Sequence, residues 1–299
     1  MSATNEGPTT AAKVIFLDID GTYADRGRVP PAHAEAVRSA RAAGHRVLLC
    51  TGRPTSMLTP RILDAGFDGV VAGAGAYVEV AGRVLADRRF PAALAARTVE
   101  VLDTHGLAYL LEAPEVLHGL PGLDRRLGSL LAHRFRGDGA ESAGSLDILE
   151  SLQMSADLAG ATFGKVTYFD SPVPAGTLTA QIGPGVQALP SSIPGMGESA
   201  GEIFLAGMTK AIGMALVIED LDLRREDVIA FGDGLNDLEM LEHAGLGVAI
   251  EGADPRVLAV ADRTAPGPGS SGLATAFAEL GLLSWEPGTL RRTESAGHA

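Results

Sequence analysis

The chain has almost no thiol chemistry to offer: one cysteine, Cys50, in 299 residues. That excludes an intramolecular disulfide and a zinc–cysteine cluster, and it fits a reducing cytoplasm. Aromatic residues are also scarce, at 5% against 46% hydrophobic overall, so Ala, Leu, Val and Gly must carry the packing. Basic residues are outnumbered, 24 against 37 acidic. The net charge of −13 argues against nucleic acid and against an anionic membrane surface as partners. No uninterrupted apolar run is long enough to span a bilayer. Met1 to Thr10 lacks the basic start and apolar centre of a signal peptide, so the expected location is the cytoplasm. In so acidic a chain, an anionic substrate needs local help from a bound cation, Lys, Arg or a helix N-terminus.

What is there is an alternation of strand and helix. Val14 to Leu17 reads as a strand, Pro31 to Ala43 as an Ala-rich helix closed by Gly44, and Arg46 to Cys50 as a second strand. Pro54 to Asp64 reads as the next helix and Gly69 to Val71 as a third strand, which is the rhythm of a doubly wound sheet. A hairpin follows at Ala76 to Val80 and Arg83 to Ala86. Next come a helix near 91–105, strands near 108–112 and 115–118, and a helix near 121–132. A Gly/Ser-rich loop near 137–145 leads to the strand Phe163 to Phe169, a helix near 174–182 and the strand Val186 to Leu189. The first rhythm returns with the helix Thr209 to Leu221, the strand Val228 to Phe231, the helix Asp237 to His243, the strand Gly247 to Ile250 and the helix Ser271 to Leu280. The expected fold class is α/β: a doubly wound, Rossmann-like parallel-sheet core over 12–82 and 199–284, with an α/β cap domain inserted over 83–198. The polar ends, 1–11 and 285–299, are expected to be disordered.

Two apolar runs of strand length stop abruptly at carboxylates and glycine. One ends Leu17-Asp18-Ile19-Asp20-Gly21-Thr22; the other ends Phe231-Gly232-Asp233-Gly234-Leu235-Asn236-Asp237. In an open parallel sheet, ligands bind beyond the carboxyl ends of the strands. Asp18, Asp20, Asp233 and Asp237 therefore converge if the two strands are neighbours. So much negative charge calls for a cation, and all-oxygen ligation beside phosphate favours Mg²⁺. Other motifs fail on spacing. A calcium loop starting at Asp18 would need Gly where Tyr23 stands and an acid where Val29 stands. Gly73-Ala74-Gly75 meets Val78 where a dinucleotide fingerprint needs glycine, and Gly207-Met208-Thr209-Lys210 lacks the spacing of a P-loop. Two further segments fit the carboxylates. Thr51 follows a buried strand and opens a Gly turn that offers a hydroxyl and N–H groups to an anion, and Lys210 starts a helix.

Read together, these four segments resemble the four motifs of the haloacid dehalogenase superfamily of aspartyl phosphohydrolases. Their order and the insertion point resemble its Cof-like branch, with a large α/β cap between the second and third motifs. The resemblance implies that Asp18 attacks phosphorus to form an aspartyl-phosphate. It implies that Asp20 protonates the leaving oxygen and then activates water, being kept protonated by its carboxylate neighbours. Asp18, the carbonyl of Asp20 and Asp233 would hold Mg²⁺, with Asp237 and Asn236 supporting its waters and the phosphoryl site. Thr51 and Lys210 would bind phosphoryl oxygens, and Gly21, Thr22, Gly52, Arg53 and Asn236 would line the phosphate side. Two positions depart from the family's usual residues. Tyr23 stands where Leu is commoner, which reads as a change at the mouth of the site. Ala74-Gly75-Ala76 stands where Asn-Gly-Ala is frequent.

The expected activity is that of a Mg²⁺-dependent phosphatase of small phosphorylated metabolites, acting as monomer or homodimer without nucleic acid or membrane. One alternative is a sugar phosphomutase using the same nucleophile. The other is a non-catalytic phosphometabolite-binding protein, which would not require Asp20. Cys50, at a strand end, reads as a small hydrophobe rather than a nucleophile. Arg53 is open between a phosphate contact and a capping role. The basic residues His118, Arg125, Arg126, His133, Arg134 and Arg136 read as a solvated face of the cap. Glu112, Lys165 and Tyr168 lie on cap strands, where parity alone does not tell which face points inward.

Overall fold

The computed structural model describes residues 12–134, 143–158, 160–191 and 197–284. The expected disordered tails lie outside the described residues. The chain opens with β1 (Val14–Leu17), α1 (Pro31–Ala42), β2 (Arg46–Cys50), α2 (Pro60–Leu63), β3 (Gly69–Ala72), β4 (Tyr77–Val80) and β5 (Arg83–Asp87). The middle holds α3 (Ala92–Thr104), β6 (Ala108–Glu112), β7 (Leu117–Gly119), α4 (Leu123–Arg134) and α5 (Ala143–Ser151). It continues with β8 (Leu152–Met154), β9 (Lys165–Phe169), α6 (Ala175–Ile182), β10 (Val186–Pro190) and β11 (Gly201–Leu205). The last third holds α7 (Lys210–Asp220), β12 (Val228–Gly232), α8 (Leu238–His243), β13 (Leu246–Ile250), α9 (Pro255–Val260), β14 (Arg263–Ala265) and α10 (Gly272–Glu279).

Two sheets result. The core sheet runs β14-β13-β12-β1-β2-β3-β4-β5. Its strands are parallel from β14 to β3, and β4 and β5 join antiparallel. The succession β1, β2, β3 runs one way from the centre and β12, β13, β14 the other, so β1 and β12 flank the topological switch point. Both strands are buried along their whole length, which is why they read as unbroken apolar runs. The second sheet runs β10-β11-β9-β6-β7-β8 and is antiparallel except for β7 with β8. The mixed α/β architecture expected from the sequence is present.

The insertion boundaries differ from 83–198. β5, placed in the cap by that reading, pairs with β4 at the edge of the core sheet. β11, placed in the core, pairs with β9 and β10 in the cap sheet. The crossings therefore fall after Asp87 and after Leu205. A turn signal marks a hairpin but not the sheet that its strands extend; that is settled by backbone pairing at a distance.

The span Pro54 to Asp64 is not one helix. A 3-10 turn covers Thr55–Met57, and α2 starts only at Pro60. Proline forces the residue before it out of helical conformation, and Thr59 accordingly sits at φ −69, ψ 159. The broken segment serves as the core's docking edge for the cap. Thr55 Oγ donates to the Pro114 carbonyl at 2.6 Å, Ser56 Oγ to the Ala113 carbonyl at 3.0 Å, and Met57 packs with Leu110, Ile148 and Phe169 of the cap. The strand expected at 115–118 is β7, and residues 143–145 open α5 instead of closing a loop. α9, β14 and β8 were not read as separate elements in the sequence.

His33 ties the first loop to the last helix. It is fully buried, its Nδ1–H donates to the Tyr23 carbonyl at 2.9 Å, and its Nε2 accepts the Leu273 N–H at 3.2 Å. That pairing requires the neutral ring, and burial holds the imidazole below its ordinary 6.5. The unfolded chain therefore binds the proton first as pH falls through 6.5, and the His33 contribution to stability is lost below that value. Between pH 7 and 5.5, His33→Asn should lose less of its stability than the parent does, as read by denaturant midpoints in Mg²⁺ buffer.

Candidate active site

β1 and β12 deliver the carboxylates. The Asp18 N–H donates to the Phe231 carbonyl at 3.0 Å, so the parallel ladder continues one residue past β1 and sets Asp18 against the end of β12. The chain then turns at Gly21, φ +95. A Cβ there would lie 2.2 Å from Asp233 Oδ2, so both the turn and the close approach of the two motifs require glycine. Thr22 Oγ donates to Asp233 Oδ1 at 2.9 Å and fixes the second loop against the first.

One oxygen each from Asp18, Asp233 and Asp237 lies within 4.8 Å of the others. Lys210, the first residue of α7, is buried, and its Nζ donates to Asp18 Oδ1 at 2.6 Å and Asp237 Oδ1 at 2.5 Å. Burial alone pulls the ammonium down. The two carboxylates outweigh it and hold Lys210 well above the usual lysine range. Asp237 also accepts the N–H groups of Asp233 and Gly234, at 3.1 and 2.9 Å, so it braces the loop as well as the lysine. One ammonium does not neutralise three carboxylates. Burial, offset only in part by Lys210, holds the Asp18 carboxyl well above its ordinary 3.8. Burial and Asp237 push Asp233 up to about 6. Buried, all-oxygen and anionic, this donor set fits a hard divalent cation.

Thr51 follows β2. Its Oγ accepts the Arg53 N–H at 3.0 Å, leaving the hydroxyl hydrogen to donate, and its carbonyl accepts the Ala74 N–H at 3.0 Å. Ala74 is left-handed, φ 55 and ψ 35, a conformation that asparagine tolerates better than alanine. The unusual residue there therefore carries backbone strain that Asn would reduce. Gly52 lies beside Asn236, whose Nδ2 is 3.6 Å from where a Cβ of Gly52 would stand.

Three expectations are corrected. Asp20 is not among its carboxylate neighbours: its side chain is 45% exposed and turned to Arg53, with Nε and Nη2 each 2.7 Å from its oxygens. The Asp20 side chain thus lies outside the Asp18, Asp233 and Asp237 cluster. Arg53 uses its remaining Nη1 on Asp147 at 2.8 Å, so its donors go to two carboxylates. Tyr23 does not sit at the mouth; it is fully buried beneath the loop, edge-on to Phe67 with ring centroids 5.4 Å apart. Cys50 is fully buried, and burial pushes its thiol far up, out of range for a nucleophile.

The cap sheet forms the roof. Lys165 and Thr167 share one face of β9, while Val166 and Tyr168 point into the cap core. On the inward face Lys165 Nζ reaches Glu112 Oε2 at 3.1 Å, Glu202 Oε2 at 3.3 Å and the Gly52 carbonyl at 2.7 Å. Thr167 Oγ donates to Glu112. Of the basic cap residues, Arg126 donates to the Gly106 carbonyl and pairs with Asp170. Arg136 lies outside the described residues, as do the side chains of His133 and Arg134.

Asp147 and Glu202 were missed in the sequence. Each is a lone acid inside a short apolar run, Leu146-Asp147-Ile148-Leu149 and Glu202-Ile203-Phe204-Leu205. That is the available signal, since an acid at a buried position needs a partner.

The sequence pattern described as haloacid dehalogenase-like hydrolase matches residues 15–277. The Bacillus subtilis protein YkrA, provisionally named a phosphatase, is 27% identical over 284 residues, covering 91% of this chain and 99% of its own. Among solved structures, the phosphatase BT1666 of Bacteroides thetaiotaomicron superposes with a TM-score of 0.72 at 24% identity, covering 94% of this chain and 99% of that one. The subclass IIB sugar phosphatase BT4131 superposes with a TM-score of 0.70 at 21% identity, covering 91% and 100%. These two likenesses establish a common fold. Among the described residues, no helix is long and apolar enough to cross a membrane.

Proposed function

Given that the chain belongs to the haloacid dehalogenase-like hydrolases, in their Cof-like branch, we propose that it is a Mg²⁺-dependent phosphatase of small phosphorylated metabolites working through an aspartyl-phosphate. The observation that carries this reading is the convergence of Asp18, Asp233 and Asp237 around the Lys210 ammonium at the switch point of the sheet.

In this reading one oxygen of Asp18 attacks phosphorus. Lys210 holds the other oxygen, which aims the carboxylate and leaves the attacking atom free. The Thr51 hydroxyl and the Gly21, Thr22 and Gly52 backbone face the phosphoryl oxygens, with Lys210 and Asn236 beside them. Asp18, the Asp20 carbonyl and Asp233 would hold Mg²⁺, with Asp237 supporting its waters; the ion would supply charge stabilisation to the phosphoryl oxygens. By the family resemblance Asp20 would give a proton to the leaving oxygen and take one from water in the second step, for which its fork to Arg53 has to open. The carboxylate nucleophile divides the hydrolysis into two displacements.

The cap roof supports a small substrate. Glu112, Lys165, Thr167 and Glu202 lie over Gly52, an arrangement that favours a small substrate over a folded protein. The sugar phosphatase named above is consistent with a hydroxyl-bearing leaving group, which such a roof of acceptors and one ammonium can hydrogen-bond. The test is phosphate release over a panel of phosphorylated metabolites. Exhaustive chelation should abolish release, Mg²⁺ should restore it, and Ca²⁺, with its looser coordination, should restore it poorly. Full turnover in metal-free buffer would overturn the metal assignment. Isomerisation of a sugar phosphate without phosphate release would show a mutase instead.

A further inference from the structure

Glu112 closes β6 and Lys165 opens β9, directly opposite each other in the cap sheet. Both side chains are more than nine-tenths buried, and both line a cleft between cap and core. Pro54, Thr55, Gly73 and Ala76 form the core wall of that cleft. The Gly73 N–H donates to the Arg53 carbonyl at 2.9 Å, so the wall is continuous with the turn that follows Thr51. Two of the Lys165 hydrogens go to the Gly52 carbonyl and to Glu202 Oε2, at 2.7 and 3.3 Å. Glu112 accepts from Thr167 on one oxygen. Its other oxygen, Oε2, is buried 3.1 Å from Lys165 Nζ, yet it accepts no hydrogen bond among the described residues. A buried carboxylate oxygen left in that condition is costly, and a donor brought by a ligand relieves the cost. Of the other charged residues on the cleft, Asp87 pairs with Arg89, and Arg88 turns its Nη1 to Met208 Sδ at 3.7 Å.

We propose that Glu112 selects the leaving group: its Oε2 accepts a hydrogen bond from a hydroxyl or ammonium on the leaving group, and it turns away leaving groups that carry a second anion. The inference rests on the phosphatase reading and deepens it. A phosphoryl group held at Thr51 and Gly52 presents its leaving group to the roof, because Lys165 reaches down to the Gly52 carbonyl and Glu112 stands beside Lys165. A donor on the leaving group there completes the coordination of Oε2. A carboxylate or second phosphate meets two carboxylates, Glu112 and Glu202, against one ammonium whose hydrogens already serve Gly52 and Glu202. Burial weakens solvent screening, so this mismatch of charge is felt strongly. The discrimination is of the kind in which the wrong ligand leaves a buried polar group unpaired and adds a like charge to it.

The test is competition against 4-nitrophenyl phosphate hydrolysis in Mg²⁺ buffer, with sorbitol 6-phosphate, 6-phosphogluconate and inorganic phosphate as competitors. The first two are acyclic and of equal length, and differ in the carboxylate at the far end. The parent should bind sorbitol 6-phosphate at least ~10-fold more tightly than 6-phosphogluconate. Glu112→Gln keeps the shape but not the charge, and should narrow that gap to less than ~3-fold, in part by tightening 6-phosphogluconate. Inorganic phosphate has no leaving group, so its inhibition should move less than ~3-fold in the variant. A parent that binds 6-phosphogluconate as well or better overturns the proposal and makes Arg88 the group that faces the leaving group. A gap that Glu112→Gln leaves intact overturns it too, as does equal weakening of all three competitors, which would make Glu112 a structural residue. If Glu112→Gln fails to fold, Glu112→Asp carries the comparison: it keeps the charge but draws the acceptor back, so it should weaken sorbitol 6-phosphate by at least ~3-fold while phosphate inhibition stays. A parent that does not hydrolyse 4-nitrophenyl phosphate overturns the phosphatase reading, and the inference with it. A hydrolysing parent without discrimination overturns the inference alone.

Discussion

Asp18→Asn should lower phosphate release by at least ~10³-fold, about 4 kcal/mol of transition-state stabilisation, while raising the melting temperature of the metal-free protein. The amide keeps the shape and can still accept from Lys210, but it has no anionic oxygen to attack phosphorus. The stability gain has the opposite sign for a definite reason. Burial, with Asp233 and Asp237 adding to it, holds the Asp18 carboxyl well above its ordinary 3.8, Lys210 offsetting only part. The folded state thus binds a proton that the unfolded chain has already released, and folding loses stability as pH rises above 3.8. At neutral pH the ionised Asp18 works against the fold, and neutralising it relieves that cost. Assay of phosphate release beside melting curves in chelator checks both halves. Substantial turnover in the purified variant would eliminate the aspartyl-phosphate route. A lower melting temperature would mean that the Lys210 contact outweighs the repulsion.

Lys210→Met should damage both properties at once. Its ammonium is the cation that the structure sets between Asp18 and Asp237, and all three are buried. Removing it leaves two close carboxylates without their shared partner, and breaking a buried ion pair from one side costs on the order of 3–5 kcal/mol. Turnover should fall by ~10³-fold or more, since the nucleophile loses its aim and the phosphoryl oxygens a donor. Saturating Mg²⁺ should return part of the stability, because a divalent ion neutralises the same carboxylates, but little of the activity. Denaturant unfolding with and without Mg²⁺ separates the two effects. A variant as stable as the parent in chelator would contradict the buried charge pairing.

Much of this centre was legible in the sequence because each of its parts is local. Val14 to Leu17 and Val228 to Gly232 are apolar throughout and end at Asp and Gly, which marks buried parallel strands with polar carboxyl ends. Thr51 and Lys210 could be read as belonging with them only once the order of the segments was considered together. The roof was less legible. Lys165 and Thr167 share a face that Val166 and Tyr168 do not, yet strand parity fixes only that difference; the packing of α3 and α6 on the other face makes theirs the inward one.

By itself the sequence determined where the candidate site residues stand, each at the end of a buried strand or the start of a helix. Those properties depend on apolar period, on glycine's conformational freedom and on proline's lack of it, all of which act within a few residues. Only the tertiary structure decided that β5 belongs to the core sheet and β11 to the cap sheet, that Tyr23 is core packing, and that Arg53 is shared by Asp20 and Asp147. Sheet membership follows from backbone hydrogen bonds between distant segments. The orientation of a long charged side chain follows from whichever carboxylate the fold buries within reach, and Asp147 is 94 residues away from Arg53 along the chain.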